Sequence, residues 1–89
     1  MTLTLTLTVQ VRYFASLREA LGAGETVSVA SGSTLGELRD ALIARGGRHA
    51  EVLARGRAVR AALAQLMSDE SAVLAEGAEV AFFPPVTGG

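Results

Sequence analysis

The chain has 89 residues, 49% hydrophobic and 19% charged, with a formal net charge of −1. That balance excludes a disordered polar segment and provides neither the basic surface of a nucleic-acid binder nor the basic face of a membrane-surface helix. The length allows one small domain, there is no cysteine for a disulfide, and no apolar run reaches the ~18 residues of a membrane-spanning helix.

The first stretch, TLTLTLTVQVRYF, alternates with period two. Leu3, Leu5, Leu7, Val9, Val11 and Tyr13 share one face, while Thr4, Thr6, Thr8, Gln10 and Arg12 share the other, the pattern of a half-buried strand. Its length exceeds that of an ordinary strand, so its first residues are expected to overhang. Because it has neither a basic region nor a continuous apolar core, no signal peptide is expected and the protein is expected to be cytoplasmic. FASLREALG follows, with Phe14, Leu17 and Leu21 at helical spacing and Gly22 as a stop, predicting one or two helical turns. ETVSVA alternates again and predicts a second strand with Val27 and Val29 inward.

SGSTLGELRDALIARGG carries the strongest helix signal. Thr34 and Glu37 make a capping box, Leu35, Leu38, Leu42 and Ile43 form an apolar stripe, and Gly46-Gly47 end it. RHAEVLARGR reads as a short helical turn before a bend at Gly56. AVRAALAQLM has alanine-rich helix propensity, but its surroundings favour a strand from Val59 to Leu66. SDESAVLAEGA is a loop, and EVAFF is a last strand with Val80 and Phe82 on one face and Glu79, Ala81 and Phe83 on the other. One principal helix among strands that do not alternate with helices is incompatible with a doubly wound sheet. The economical solution is α+β: a mixed sheet with the helix across one face, a β-grasp or ubiquitin-like arrangement. Residues 1–83 are expected to form that domain and residues 84–89 an extended tail.

Little in the globular part suggests catalysis. His49 stands in an Arg- and Gly-rich stretch and reads as a solvated loop histidine, with no cysteine or second histidine to complete a zinc site. Asp69-Glu70 reads as a solvated turn. Arg45, Arg48, Arg55, Arg57 and Arg60 make a basic cluster without interleaved aromatics, which points to partner contact or solubility. The end of the chain is different. Pro84 and Pro85 fix φ near −65° and hold Phe83 extended. Val86 and Thr87 favour extended backbone, and Gly88 and Gly89 give it the thinnest profile. A Gly-Gly end alone would be a floppy terminus. Here it follows a stiff exit from a strand, and Val86 to Gly89 extend at most ~14 Å, a slim spike suited to a narrow cavity.

VRYFASLREALG and EGAEVAFFPPVTGG resemble the corresponding segments of the small subunits of molybdopterin synthases, and the similarity runs from about Val9 to Gly89. Thiamine-pathway carriers also end in Gly-Gly but usually lack the FFPPV lead-in. Two positions depart from that family: Ala64, where an Asn is frequent, and Ala78, where an Asp is common. The resemblance implies that an E1-like adenylyltransferase uses ATP to adenylate the Gly89 carboxylate. A sulfur donor system then converts it to a thiocarboxylate, and the molybdopterin synthase large subunit receives the tail. There the sulfur passes to a pyranopterin precursor, cyclic pyranopterin monophosphate. It also implies a heterotetramer of two large and two small subunits; from composition and charge, no bound cofactor or metal and no nucleic-acid or membrane partner are expected.

On this reading Gly89 is the reacting residue, and Gly88, Thr87, Val86, Pro85, Pro84 and Phe83 contact the partner. The composition is consistent with it. No cysteine can capture the activated acyl group, and all eight basic side chains are arginine, so no lysine can accept an isopeptide bond. A sulfur carrier of another pathway (thiamine, tRNA thiolation or cysteine synthesis), a ubiquitin-like protein modifier, and an interaction module with an inert tail remain the alternatives.

Overall fold

The computed structural model describes residues 5–84. The alternating segment forms β1 (Thr6–Tyr13), and a short helix α1 (Ala15–Leu21) follows. Next come β2 (Gly24–Ala30), α2 (Leu35–Ala44) and α3 (Gly47–Val52). The chain ends in β3 (Arg60–Leu63), β4 (Leu66–Met67) and β5 (Glu79–Phe83). The strands form one five-stranded sheet in the order β2-β1-β5-β3-β4. β1 and β5 are parallel, and the other pairings are antiparallel. This is the mixed β-grasp sheet expected from the sequence.

Period two decides which side chains enter the core. Val9, Val11 and Tyr13 from β1 and Val80 and Phe82 from β5 are buried on the side covered by α2, where they meet Leu35, Leu38 and Leu42. Val29 from β2, with Leu17, Leu53 and Leu74 from α1 and the loops, completes the cluster. Leu7 is only half-buried and Leu5 is 70% exposed, so the inward face fades toward the start of β1, the expected overhang; Leu3 lies outside the described residues. α2 begins as predicted: the Thr34 hydroxyl accepts from the Glu37 backbone N–H at 3.2 Å, and the Glu37 carboxylate accepts from the Thr34 N–H at 2.9 Å. Such a reciprocal cap satisfies two donors that a helix start otherwise leaves open. At the start of β2 a Cβ on Gly24 would lie 2.4 Å from the Val11 carbonyl oxygen, so the strands meet this closely only at a glycine.

Two expectations are corrected. The single strand from Val59 to Leu66 is instead a hairpin: β3 stops at Leu63, and Ala64 and Gln65 turn at φ of 51° and 70° into β4. Two successive left-handed residues are the backbone of a tight hairpin turn whose twist matches that of the strands it joins. Phe14 does not lie on the apolar face of α1. It is the extended N-cap residue (φ −123°, ψ 156°), continues β1, and accordingly points to the side opposite Tyr13.

Candidate functional site

The two chain segments that bracket the expected tail exit each carry an aromatic doublet, Tyr13-Phe14 and Phe82-Phe83, and these hold all four aromatic residues. Because β1 and β5 are parallel neighbours, Tyr13 pairs with Phe82 in register. Their rings stack at 6.3 Å on the covered side. One residue further on, Phe14 and Phe83 stack at 4.9 Å with an interplanar angle of 11° on the open side. The backbone hydrogen bond from the Phe14 N–H to the Phe82 carbonyl, 3.2 Å long, continues the ladder to this point. Phe83 therefore faces away from α2 as its parity predicts, and Phe14 shields it to half-burial.

The open face beside this stack is concave. Ala62 and Ala81 pair in register and supply a floor without side-chain bulk. Around it stand Phe14, Phe83, Met67, Gln65, Arg12 and Glu79, enclosing a hollow of 370 Å³. Met67 is 58% exposed and Leu66, on the same two-residue strand, 72% exposed. Arg12 and Glu79 pair at 3.8 Å across the outer surface, where such pairs contribute at most about 1 kcal/mol. The arrangement suits an apolar group of a protein partner with polar contacts at the edge. Pro84 follows Phe83 at the rim and is half-buried; Pro85, Val86, Thr87, Gly88 and Gly89 lie outside the described residues.

The hairpin that carries Met67 is held in place from behind by a buried arginine. Arg39 on α2 is 4% exposed. Its guanidinium donates to the carbonyls of Leu53, Ala54 and Arg57 and to the Glu70 carboxylate, the last at 2.8 Å. Arg55 also donates to Glu70, to Asp40 and to the Gly36 carbonyl. The contact with Arg55, reinforced by Arg39, holds the Glu70 carboxyl below its ordinary range. These bonds tie the segment entering β3 and the segment leaving β4 to the same helix.

This changes the reading of several charged residues. Glu70 is not part of a solvated turn, and Arg45, Arg55 and Arg57 make contacts within the chain, Arg57 donating to the Glu51 carbonyl. His49 is on α3, with a side chain 18% exposed, its Nε2 2.9 Å from Glu25 and its ring edge-on to Tyr13. The Tyr13 hydroxyl donates to Glu25 at 2.7 Å, and Arg45 pairs with the other carboxylate oxygen. Burial pushes the Glu25 carboxyl up, but hydrogen bonds from Arg45, His49 and Tyr13 outweigh it and bring the pKa down to about 2. Sequence spacing alone cannot join residues 13, 25, 45 and 49. Phe14 and Met67 were also missed as site residues, although the matched aromatic doublets were a usable signal for Phe14.

Comparison with known proteins finds relatives over most of the chain. The model of the ThiS family matches residues 11–89. The molybdopterin synthase sulfur carrier subunit of Escherichia coli is 40% identical over 81 residues, spanning 91% of this chain and 99% of that one. The small archaeal modifier protein 1 of Haloferax volcanii is 25% identical with a TM-score of 0.73, over 90% of this chain and 99% of that one. A chain in the complex of subunits 1 and 2 of the molybdopterin-converting factor from Helicobacter pylori is 27% identical with a TM-score of 0.61. That match covers 93% of this chain and 100% of that one.

Proposed function

The chain belongs to the ThiS family, and on that premise we propose that it is the sulfur carrier subunit of a molybdopterin synthase, with Gly89 as the carrying residue. The observation that carries the reading is the junction at Phe83-Pro84. There the central strand β5 leaves the sheet beside an exposed aromatic stack and continues into PPVTGG. The likeness to sulfur carrier subunits over nearly their whole length supports it.

A carboxylate is a poor electrophile, so the Gly89 carboxylate must first be joined to AMP by an E1-like enzyme, with pyrophosphate released from ATP. A sulfur nucleophile then displaces AMP, leaving a thiocarboxylate at the chain end. A thiocarboxylate is ionised near neutral pH and is a soft nucleophile, so it attacks as a thiolate does. Enclosure of the acyl adenylate by the activating enzyme keeps water from it. In the large subunit the thiocarboxylate sulfur attacks the pyranopterin precursor and displaces an oxygen leaving group. Water then cleaves the resulting thioester between the Gly89 carbonyl carbon and sulfur, leaving the sulfur on the pyranopterin and regenerating the Gly89 carboxylate. The globule contributes no catalytic side chain to this scheme. It positions the end group, and the Phe14–Phe83 face fixes the depth to which the tail enters.

The test is the intact mass of the chain after incubation with its activating enzyme, ATP and a sulfur source. Exchange of one oxygen for sulfur, localised to the terminal peptide, is the expected result; an unaltered mass rejects the carrier role. Deleting Gly88-Gly89 is expected to abolish sulfur transfer with little change in melting temperature, and retained transfer would remove the tail from the chemistry. A second reading, a protein modifier, is favoured by the likeness to the archaeal modifier protein. Reductant-resistant adducts of higher mass in cell extract would select it, whereas capture of a thiazole synthase in place of the large subunit would assign the chain to the thiamine route.

A further inference from the structure

Among the described residues, the open face carries one cation that has no carboxylate partner. Arg60 begins β3 and pairs in register with Phe83, so the two side chains rise from the same face and extend the row begun by Phe14. Arg12, Arg39, Arg45 and Arg55 each have an acidic partner within the chain. Among the described residues Arg60 makes no ion pair and no side-chain hydrogen bond, although Asp69 lines the same groove along the edge of β3. Arg18, Arg48 and Arg57 also lack an acidic partner there, but they are carried by α1, α3 and the loop before β3, not by the sheet, and Arg57 donates to the Glu51 carbonyl. The composition of the row is therefore two stacked apolar rings with a single unmatched guanidinium beside them.

The position of the tail specifies what meets this row. Residues 85–89 begin two residues beyond Phe83, and five extended residues reach at most ~17 Å. The protein whose cavity receives the chain end must therefore rest on the Phe14, Phe83 and Arg60 row at the same time. Burying a guanidinium against a surface without a carboxylate is costly, while a carboxylate in the right place accepts two parallel hydrogen bonds from its planar fork.

We propose that Arg60 pairs with a carboxylate of the synthase large subunit, next to the apolar socket that takes the Phe14–Phe83 stack, and that this charge selects the cognate large subunit. The proposal rests on the sulfur carrier reading above. A charge at the rim of an interface acts mainly on the association rate and on its salt dependence, and it rejects surfaces that cannot match it.

The experiment titrates the full-length chain onto its large subunit at low and at high salt, with Arg60→Gln, Arg60→Glu and Arg60→Lys in parallel. Arg60→Gln is expected to weaken binding about 10-fold at low salt and much less at high salt, as screening removes the attraction. Arg60→Glu is expected to lose about 100-fold, and Arg60→Lys, which keeps the charge but not the planar fork, to recover only part of the affinity. Melting temperatures should be unchanged because Arg60 is exposed. If the unaltered chain binds and the charge reversal binds equally well, Arg60 plays no part and the carrier reading stands. A loss equal at all salt concentrations would also overturn the proposal, since it would make the effect one of shape. If the unaltered chain does not bind the large subunit, the reading and the proposal fall together.

Discussion

Two pairs of stacked rings, offset by one residue along the same two strands, sit on opposite sides of one sheet. Tyr13 and Phe82 are each 1% exposed, and the one polar atom in that pair, the Tyr13 hydroxyl, is satisfied by Glu25. Phe14 is 37% exposed, and it and Phe83 carry no polar atom at all. A hydroxyl is tolerated in a core when a permanent partner accepts its proton. A ring that must be bare in the free protein and dry in a complex is better without one. The covered pair is thus suited to holding the globule together and the open pair to leaving water only when a partner arrives. Geometry alone does not separate the two roles; what lies above each pair does.

Substitution of the same residue type on the two sides tests this division. Phe82→Ala should cost about 3–5 kcal/mol of folding stability, read from the denaturant midpoint, because it opens a cavity among Tyr13, Leu35 and their neighbours. Phe83→Ala should cost less than about 1 kcal/mol by the same measure yet weaken binding to the large subunit by ~1–3 kcal/mol. Equal losses of stability would show that the open pair is structural. Unchanged affinity of Phe83→Ala would remove the stack from the interface.

The polar end of the covered pair is expected to be sensitive to acid. The folded-state pKa of Glu25, about 2, lies below its ordinary 4.5, so the native state binds this proton less readily than the unfolded chain does. The resulting stabilisation is fully present above about pH 4.5 and is lost as the pH falls toward 2. It amounts to roughly 3 kcal/mol. Glu25→Gln should remove that amount at neutral pH and flatten the acid limb of the stability profile, measured by denaturation across pH 2–7. An acid limb identical in both proteins would mean that the cluster of Tyr13, Arg45 and His49 does not hold the carboxylate in its charged form.

What could be read in the sequence follows the range of each signal. Alternation and capping are local, so β1, β2, β5 and the start of α2 were legible from neighbouring residues, as was the outward parity of Phe83. Phe14 was misassigned because positions 14, 17 and 21 satisfy a helical period, although Phe14 is the extended cap residue between β1 and the helix. The Arg39–Glu70 and Glu25–His49 contacts join segments 31 and 24 residues apart in sequence. No local pattern encodes them, and this is why the charged residues around α2 looked merely solvated. The open face is assembled from β1, β3, β4 and β5 together, so its concavity depends on a strand order that sequence spacing does not reveal.

The hairpin between β3 and β4 was hidden for a different reason, and that reason leads to the smallest expected effect. A turn with two left-handed residues normally declares itself through Asn or Gly, and here Ala64 and Gln65 occupy it at φ of 51° and 70°. An alanine held in the left-handed region costs roughly 1 kcal/mol, and Arg39 and Arg55, by tying down both flanks of the hairpin, help the fold to bear that cost. Glycine would relieve the strain but add freedom to the unfolded chain, whereas asparagine tolerates the conformation without that entropic loss. Ala64→Asn should therefore stabilise the protein by ~0.5–1 kcal/mol, raising the melting temperature by about 3–6 °C, with Ala64→Gly falling between it and the original. Neither change should alter affinity for the large subunit, because residue 64 does not line the hollow that Gln65 and Met67 border. A lower melting temperature for the asparagine variant would mean that the turn does not constrain the backbone in this way, and a changed affinity would extend the docking face beyond Met67 to the hairpin tip.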